Sequence, residues 1–217
     1  MTSSRRHDRR SFISAFSWLA GLTAFQATGA EVAAQTPATP GFDLRWLDDL
    51  TGPHMQVFDV GDSDPTTQPA PLRLPRNYMN TFRDVYQVEF PQVRTIVGIS
   101  GGRAFTVNAS DQLWQKYGLG EFFQIVDPAT KQPSVRNIFL DDATLGVKAL
   151  QARGTIFWQC AIALGGVAQQ VATVRKLPVA DVRADFQAGL NPGVRLVPSH
   201  VMAIGLVQER RVTYVKV

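Results

Sequence analysis

The residues of this chain best suited to chemistry are its single cysteine, Cys160, and the histidine His200, two of the few reactive side chains in 217 residues. Cys160 follows Thr155, Ile156, Phe157 and Trp158, a β-branched and aromatic run of the kind that forms a strand covered on both faces. Ala161 to Leu164 then favour a helix. A cysteine at such a junction sits at the carboxyl end of a strand and the amino end of a helix, where the helix dipole suits a thiolate. His200 stands in the same relation to a later strand, directly after Pro198 and Ser199.

Two other strand ends carry polar residues. Asp59 closes the run from His54 to Val60, with Gly61 behind it, and Ser100, Gly101, Gly102 and Arg103 close the run from Val93 to Ile99. In open parallel sheets, ligands bind outside the carboxyl ends of the strands. Asp59, Ser100, Gly101, Gly102, Arg103, Cys160, Ser199 and His200 therefore form the candidate rim. Cys160 and His200 are the candidate catalytic residues, and the others are the candidate ligand-binding residues. Each also has a plain structural reading: Asp59 caps a loop, the Ser100–Gly102 stretch is a strand-to-helix turn, and Ser199 caps a helix. The stretch lacks the glycine spacing of a dinucleotide site or a P-loop, although free amides at a helix start can hold an anion. No nucleophile elbow of the G-x-S-x-G type occurs. One cysteine and two histidines beyond the amino terminus are too few for a metal centre, and no cofactor is expected.

The elements that must hold this rim alternate regularly. Strands are expected at 54–60, 93–99, 155–158, 194–198 and 212–215. Helices are expected at 76–88, 108–117, 141–154, from 161 onward, at 179–190 and at 200–210. Residues 61–75, with four prolines, read as a loop, and 120–139 as a surface excursion. Asn108 or Ser110, Asp141 or Asp142, and Ser199 are the expected helix caps. Tyr78, Phe82, Tyr86, Leu113, Trp114 and Tyr117 read as core. The alternation predicts an α/β fold, a parallel sheet with right-handed crossovers and helices on both faces.

The amino terminus reads as an address. Arg9 and Arg10 precede Ser11, Phe12 and Ile13, a moderately apolar run continues to Phe25, and small residues offer cleavage after Ala30 or Ala34. The expectation is a twin-arginine signal peptide over 1–34, a linker and short helix over 35–54, and one α/β domain over 55–217. The chain is then periplasmic or otherwise exported, and no later segment is long and apolar enough for a stable membrane span. Those first 34 residues supply two of the net +4 charges. What remains is nearly balanced and has no basic cluster with interleaved aromatics, so nucleic acid is not expected as a partner. An exported chain with one cysteine has no internal disulfide, which leaves Cys160 as core, as a reactive thiol or as half of an intermolecular bridge.

Three blocks resemble a known family: Gly154 to Cys160 with Ala163 and Leu164; Val194, Val197, Pro198, Ser199 and Val201; and Gln208, Glu209, Tyr214 and Val215. They look like the DsrE/DsrF-like family, in which one strand ends in a cysteine and the last strand ends in Val-Pro before a helix and a short closing strand. His54, Val57, Phe58 and Asp59, with Asn108, Trp114, Tyr117, Leu119 and Gly120, are similar to an exported, largely uncharacterised subgroup. The resemblance implies a flavodoxin-like three-layer sandwich assembled as a homo-oligomer. It also implies a cysteine, here Cys160, that carries sulfur as a persulfide between sulfur-relay partners; the position of Cys160 at the strand rim equally suits the binding of a small anionic ligand. Export and the presence of His200 after Val-Pro-Ser depart from that pattern. The competing expectations are a non-enzymatic oligomeric binding or scaffold protein in which Cys160 is core, and a Cys–His redox or transferase enzyme.

Overall fold

Five strands form one all-parallel sheet: β1 (His54–Val60), β2 (Val93–Ile99), β3 (Ile156–Cys160), β4 (Arg195–Val197) and β5 (Thr213–Lys216). The computed structural model describes residues 41–61, 63–66 and 69–217. The expected signal peptide at 1–34 and most of the linker lie outside the described residues. The strand order is β4-β3-β2-β1-β5. The chain thus steps outward through four neighbouring strands and returns past β1 to add the last, a variant of the flavodoxin winding in which the connections leaving β3 and β4 run to opposite faces, so that the switch lies between those two strands.

The two sides of the sheet are covered unequally. One side carries α1 (Ala70–Tyr86), α2 (Phe105–Asn108), α3 (Asp111–Tyr117), α4 (Leu119–Phe122), α5 (Val147–Ala152), α6 (Ala161–Arg175) and α7 (Val179–Ala188). Its core joins Val97, Ile99 and Phe157 of the sheet to Met79, Trp114, Leu164 and Phe186. The other side carries α8 (His200–Glu209) and a 3-10 turn, Arg45–Leu47, whose Trp46 and Leu47 meet Val57, Ile96, Trp158 and Val207. This three-layer α/β architecture has the helices on both faces that the alternation of elements predicts.

Three local expectations are corrected. The loop at 61–75 is shorter, because α1 begins at Ala70 and takes in Pro71 and Pro75. A proline in the first turn gives up an N–H that has no helical partner, so Pro71 costs nothing there, and Pro75 forfeits a single bond. The helix expected over 141–154 is confined to Val147–Ala152, because the Asp142 carboxylate accepts from the Thr144 and Leu145 N–H groups and closes a turn ahead of it. The helix expected over 108–117 starts only at Asp111: buried Asn108 donates to the Trp158 carbonyl and to Gln159 instead of capping. Among the residues expected in the core, Leu113, Trp114 and Tyr117 are buried, whereas Tyr86 is exposed.

The excursion at 120–139 is pinned to the core as well as running over it. Ile125 and Phe139 are buried, and buried Asn137 donates to the Val107 and Ala109 carbonyls while accepting from the Phe139 N–H. Alanine at 137 would take this partner from the Ala109 carbonyl and the Phe139 amide, while the Val107 carbonyl keeps its bond from Asn191. We expect Asn137→Ala to cost about 2–3 kcal/mol in urea unfolding, against under about 0.5 kcal/mol for a change at nearby exposed Val135.

Candidate functional site

The register of the strands decides where the rim residues meet. Asp59 pairs with Gly98, Gly98 with Trp158, and Trp158 with Arg195. Residues paired in a parallel sheet point to the same face, so this row crosses the sheet on the α8 side. Gly98 has no side chain, and the Trp158 indole occupies the space: a Cβ on Gly98 would lie 2.4 Å from the indole Cζ2. The ring thereby reaches across β2 toward β1.

His200, the first residue of α8, closes the gap from above. Trp158 Nε1 donates to His200 Nδ1 at 3.1 Å, and His200 Nε2 lies 2.6 Å from Asp59 Oδ1. An indole N–H can only donate, so Nδ1 is the accepting nitrogen and the ring proton sits on Nε2, facing Asp59. On the other carboxylate oxygen, Tyr214 of β5 donates its hydroxyl to Asp59 Oδ2 at 2.7 Å. Four side chains from three strands and one helix thus form one hydrogen-bonded line: Trp158, His200, Asp59, Tyr214. The bond to Asp59, followed by burial and the carboxylate's charge, holds the Tyr214 hydroxyl above its ordinary titration range.

Cys160 lies beside this line and joins it through the backbone. Its Sγ accepts from the Ala163 N–H at 3.5 Å and from the His200 N–H at 3.3 Å. The sulfur therefore caps α6 and α8 together, and it takes the role expected of Ser199, whose hydroxyl makes no capping bond. N–H groups converging on sulfur from two helix starts suit an anionic sulfur. The thiol is 4 % exposed and His200 8 %. The imidazole makes no hydrogen bond to the thiol. His200 turns its amide to Cys160 and its ring to Trp158 and Asp59, so both ring nitrogens are already engaged.

The remaining rim candidates have partners within the protein. Ser100 donates its hydroxyl to the Val60 carbonyl, and the Ser100 carbonyl accepts from Gln159. Gly101 passes tightly beneath α6, where an added Cβ would come 2.9 Å from the Ala163 Cβ. Gly102 has φ of +56° and opens a 3-10 turn, Gly102–Ala104, in place of a long helix. Arg103 forms an ion pair with Asp64 at 2.6 Å and donates to the carbonyls of Phe123 and Gln124. The structure thus brings Asp59, Cys160 and His200 together and commits Ser100 and Arg103 to internal bonds. Asp59 is more than the loop cap of its plain reading: it is the acceptor at the centre of the line.

Sequence reasoning missed Trp158, Tyr214 and Gly98. Trp158 reads as core, and it is fully buried, but its N–H needed a partner, as a buried indole does. That requirement was the available signal. Among the described residues, no group of three or more His, Cys, Asp or Glu side chains is placed to hold a metal ion, and no helix is long and apolar enough to cross a membrane.

No family model matches the chain, and no curated protein does. A solved structure, that of a protein of unknown function, MTH1491 from Methanobacterium thermoautotrophicum, is similar at 18 % identity, covering 76 % of this chain and 100 % of that one with a TM-score of 0.41. The fold assignment stands on the sheet topology itself.

Proposed function

We propose that Cys160 is a sulfur-handling thiol in an exported, DsrE-like oligomer. The observation that carries this reading is the pair of backbone N–H groups from Ala163 and His200 that converge on one sulfur. In the step this suits, the Cys160 thiolate attacks the outer sulfur of a persulfide donor. A new S–S bond forms, the donor's own S–S bond breaks, and the donor leaves as a thiolate, so no outside oxidant is needed. The two N–H groups hold the anionic sulfur before and after transfer. The line through Trp158, His200, Asp59 and Tyr214 fixes the start of α8, and with it one of those donors.

Apolar side chains around the rim fit an assembly that covers it. Ile162, next but one to Cys160, is 70 % exposed, and Val201, next to His200, is 79 % exposed. A second copy or a sulfur-relay partner docking there would bury both beside the thiol.

The experiment is intact-mass analysis after exposure to a small sulfane-sulfur donor such as polysulfide. Wild type gains one sulfur atom, removable by dithiothreitol, and Cys160→Ser gains none. An unmodified wild type, or equal gain in both proteins, ends the sulfur reading. The burial of the thiol favours a second reading, a binding or scaffold protein with a core cysteine. Labelling by iodoacetamide only after unfolding is the result that reading requires.

A further inference from the structure

A concave feature lies toward the amino-terminal end of β3 and extends to Arg195, the β4 neighbour of Trp158. It is a cleft of about 480 Å³ whose walls include Phe90, Arg94, Thr155, Ile156, Gly193 and Arg195. Pairing of Ile96 with Ile156 and of Trp158 with Arg195 puts Arg94, Ile156 and Arg195 on the α8 face of the sheet. Helix α8 packs chiefly on β1 and β2, which leaves this corner of β3 and β4 open.

The charges in the cleft are unbalanced. Arg94 is half-buried, its Nε has no hydrogen-bond partner, and it forms no ion pair among the described residues. Its guanidinium lies 4.9 Å from the centroid of the Phe90 ring. Burial pulls the Arg94 pKa below its ordinary value, opposed by the more distant charge of Asp49. Arg195 also forms no ion pair among the described residues, and Asp43, the acid whose charge it influences, is held by Arg45. The cleft is shaped to keep this arrangement. At Gly154, φ is +91° and an added Cβ would strike the Phe90 ring at 2.2 Å; at Gly193, φ is +80° and a Cβ would lie 2.9 Å from Gln151 Nε2. A desolvated cation without a counter-charge is costly to a fold unless a ligand supplies that charge.

We propose that this cleft binds a small ligand with two anionic groups, one held by Arg94 and the other by Arg195, across the apolar surface of Ile156. The register sets the two Cα atoms four residues apart along the strands and two strands apart across them, on the order of 16 Å. With both guanidiniums lining the one cleft from Cα atoms this far apart, a ligand carrying two anionic groups, such as a diphosphate or a short dicarboxylate, can engage both where a single phosphate engages one. Planar guanidiniums bind either group through paired hydrogen bonds. Cys160 does not line this cleft, and the proposal does not rest on the sulfur reading.

The test is calorimetric titration and thermal melting of the full chain at constant ionic strength, with pyrophosphate, succinate and inorganic phosphate as probes. Pyrophosphate or succinate is expected to bind and raise Tm, and whichever of the two does so identifies the anionic group. Phosphate is expected to bind at least tenfold more weakly. Arg195→Gln, on an exposed position of an edge strand, and Arg94→Met, which keeps the apolar stem, should each weaken binding tenfold or more. Ligand-free Arg94→Met should melt no lower than wild type, since it removes an uncompensated charge. The proposal is overturned if neither dianion binds, if phosphate binds equally well, if either variant binds like wild type, or if Arg94→Met melts lower.

Discussion

Alanine in place of Asp59 is expected to cost about 2–4 kcal/mol of folding stability, read by urea or thermal unfolding. The carboxylate is the acceptor on which the line converges, taking the Nε2–H of buried His200 on one oxygen and the Tyr214 hydroxyl on the other. Removing it leaves a ring N–H facing a hole, while Trp158 still occupies the opposite nitrogen and blocks the ring from turning over to another partner. Asn should be far milder, because its side-chain oxygen can still accept from His200 and its amino group can donate to the Tyr214 oxygen. A loss under about 1 kcal/mol for Asp59→Ala would show that the line is incidental.

The same variant has a signature in alkaline solution. Tyr214 titrates above its ordinary range in the folded chain because of its bond to Asp59. A group whose folded pKa is raised contributes stability that is full below its unfolded value, about 10 for tyrosine, and that is lost as pH climbs through the folded value. Wild type should therefore lose stability on that climb, and Asp59→Ala should lose less, with the Tyr214 titration falling back toward its ordinary value. Tyr214→Phe should reproduce the flattened alkaline profile while leaving the His200 bond intact.

The second large effect is expected at Gly98. A methyl group there meets the Trp158 indole at 2.4 to 2.9 Å along its Cζ2, Cε2 and Nε1 edge. Trp158 is fully buried, with the Trp46 ring tilted against it at 42° and 6.0 Å between centroids, so the indole cannot swing out to solvent without displacing its neighbours. Gly98→Ala should cost about 2–4 kcal/mol. It should also push Nε1 away from His200 and perturb the tryptophan fluorescence. Trp158→Phe costs stability alone but should lessen the Gly98→Ala penalty when the two are combined, since the smaller ring clears the added methyl group. Simple additivity in that double variant would mean that the clash is relieved elsewhere.

The fold was legible because it rests on short-range signals. β1 and β2 carry β-branched and apolar runs bounded by glycine and proline, and their limits in the structure are those read from the sequence. The misjudged elements were those where local signals conflict. Four prolines between Gly61 and Arg76 read as a loop, but a proline in a first helical turn is tolerated because its missing N–H has no partner there. Asp142 and Asn108 are good cap residues by type, yet one closes a turn and the other reaches the end of β3, because contacts distant in sequence took their hydrogen bonds.

For the site, the sequence by itself determined that Asp59, Cys160 and His200 stand at strand ends or helix starts, because alternating elements leave few places for them. What only the tertiary structure decided is how they are joined. Cys160 and His200 looked like a thiol and its base. Their link is instead a backbone amide on sulfur, because the first N–H of α8 points down at the end of β3 while the imidazole lies over the sheet. That choice depends on the register of β1, β2 and β3, which sets Asp59, Gly98 and Trp158 in one row and lets an indole cross an empty glycine position. Register is a property of partners 39 and 60 residues apart here, and no local pattern in the chain encodes it.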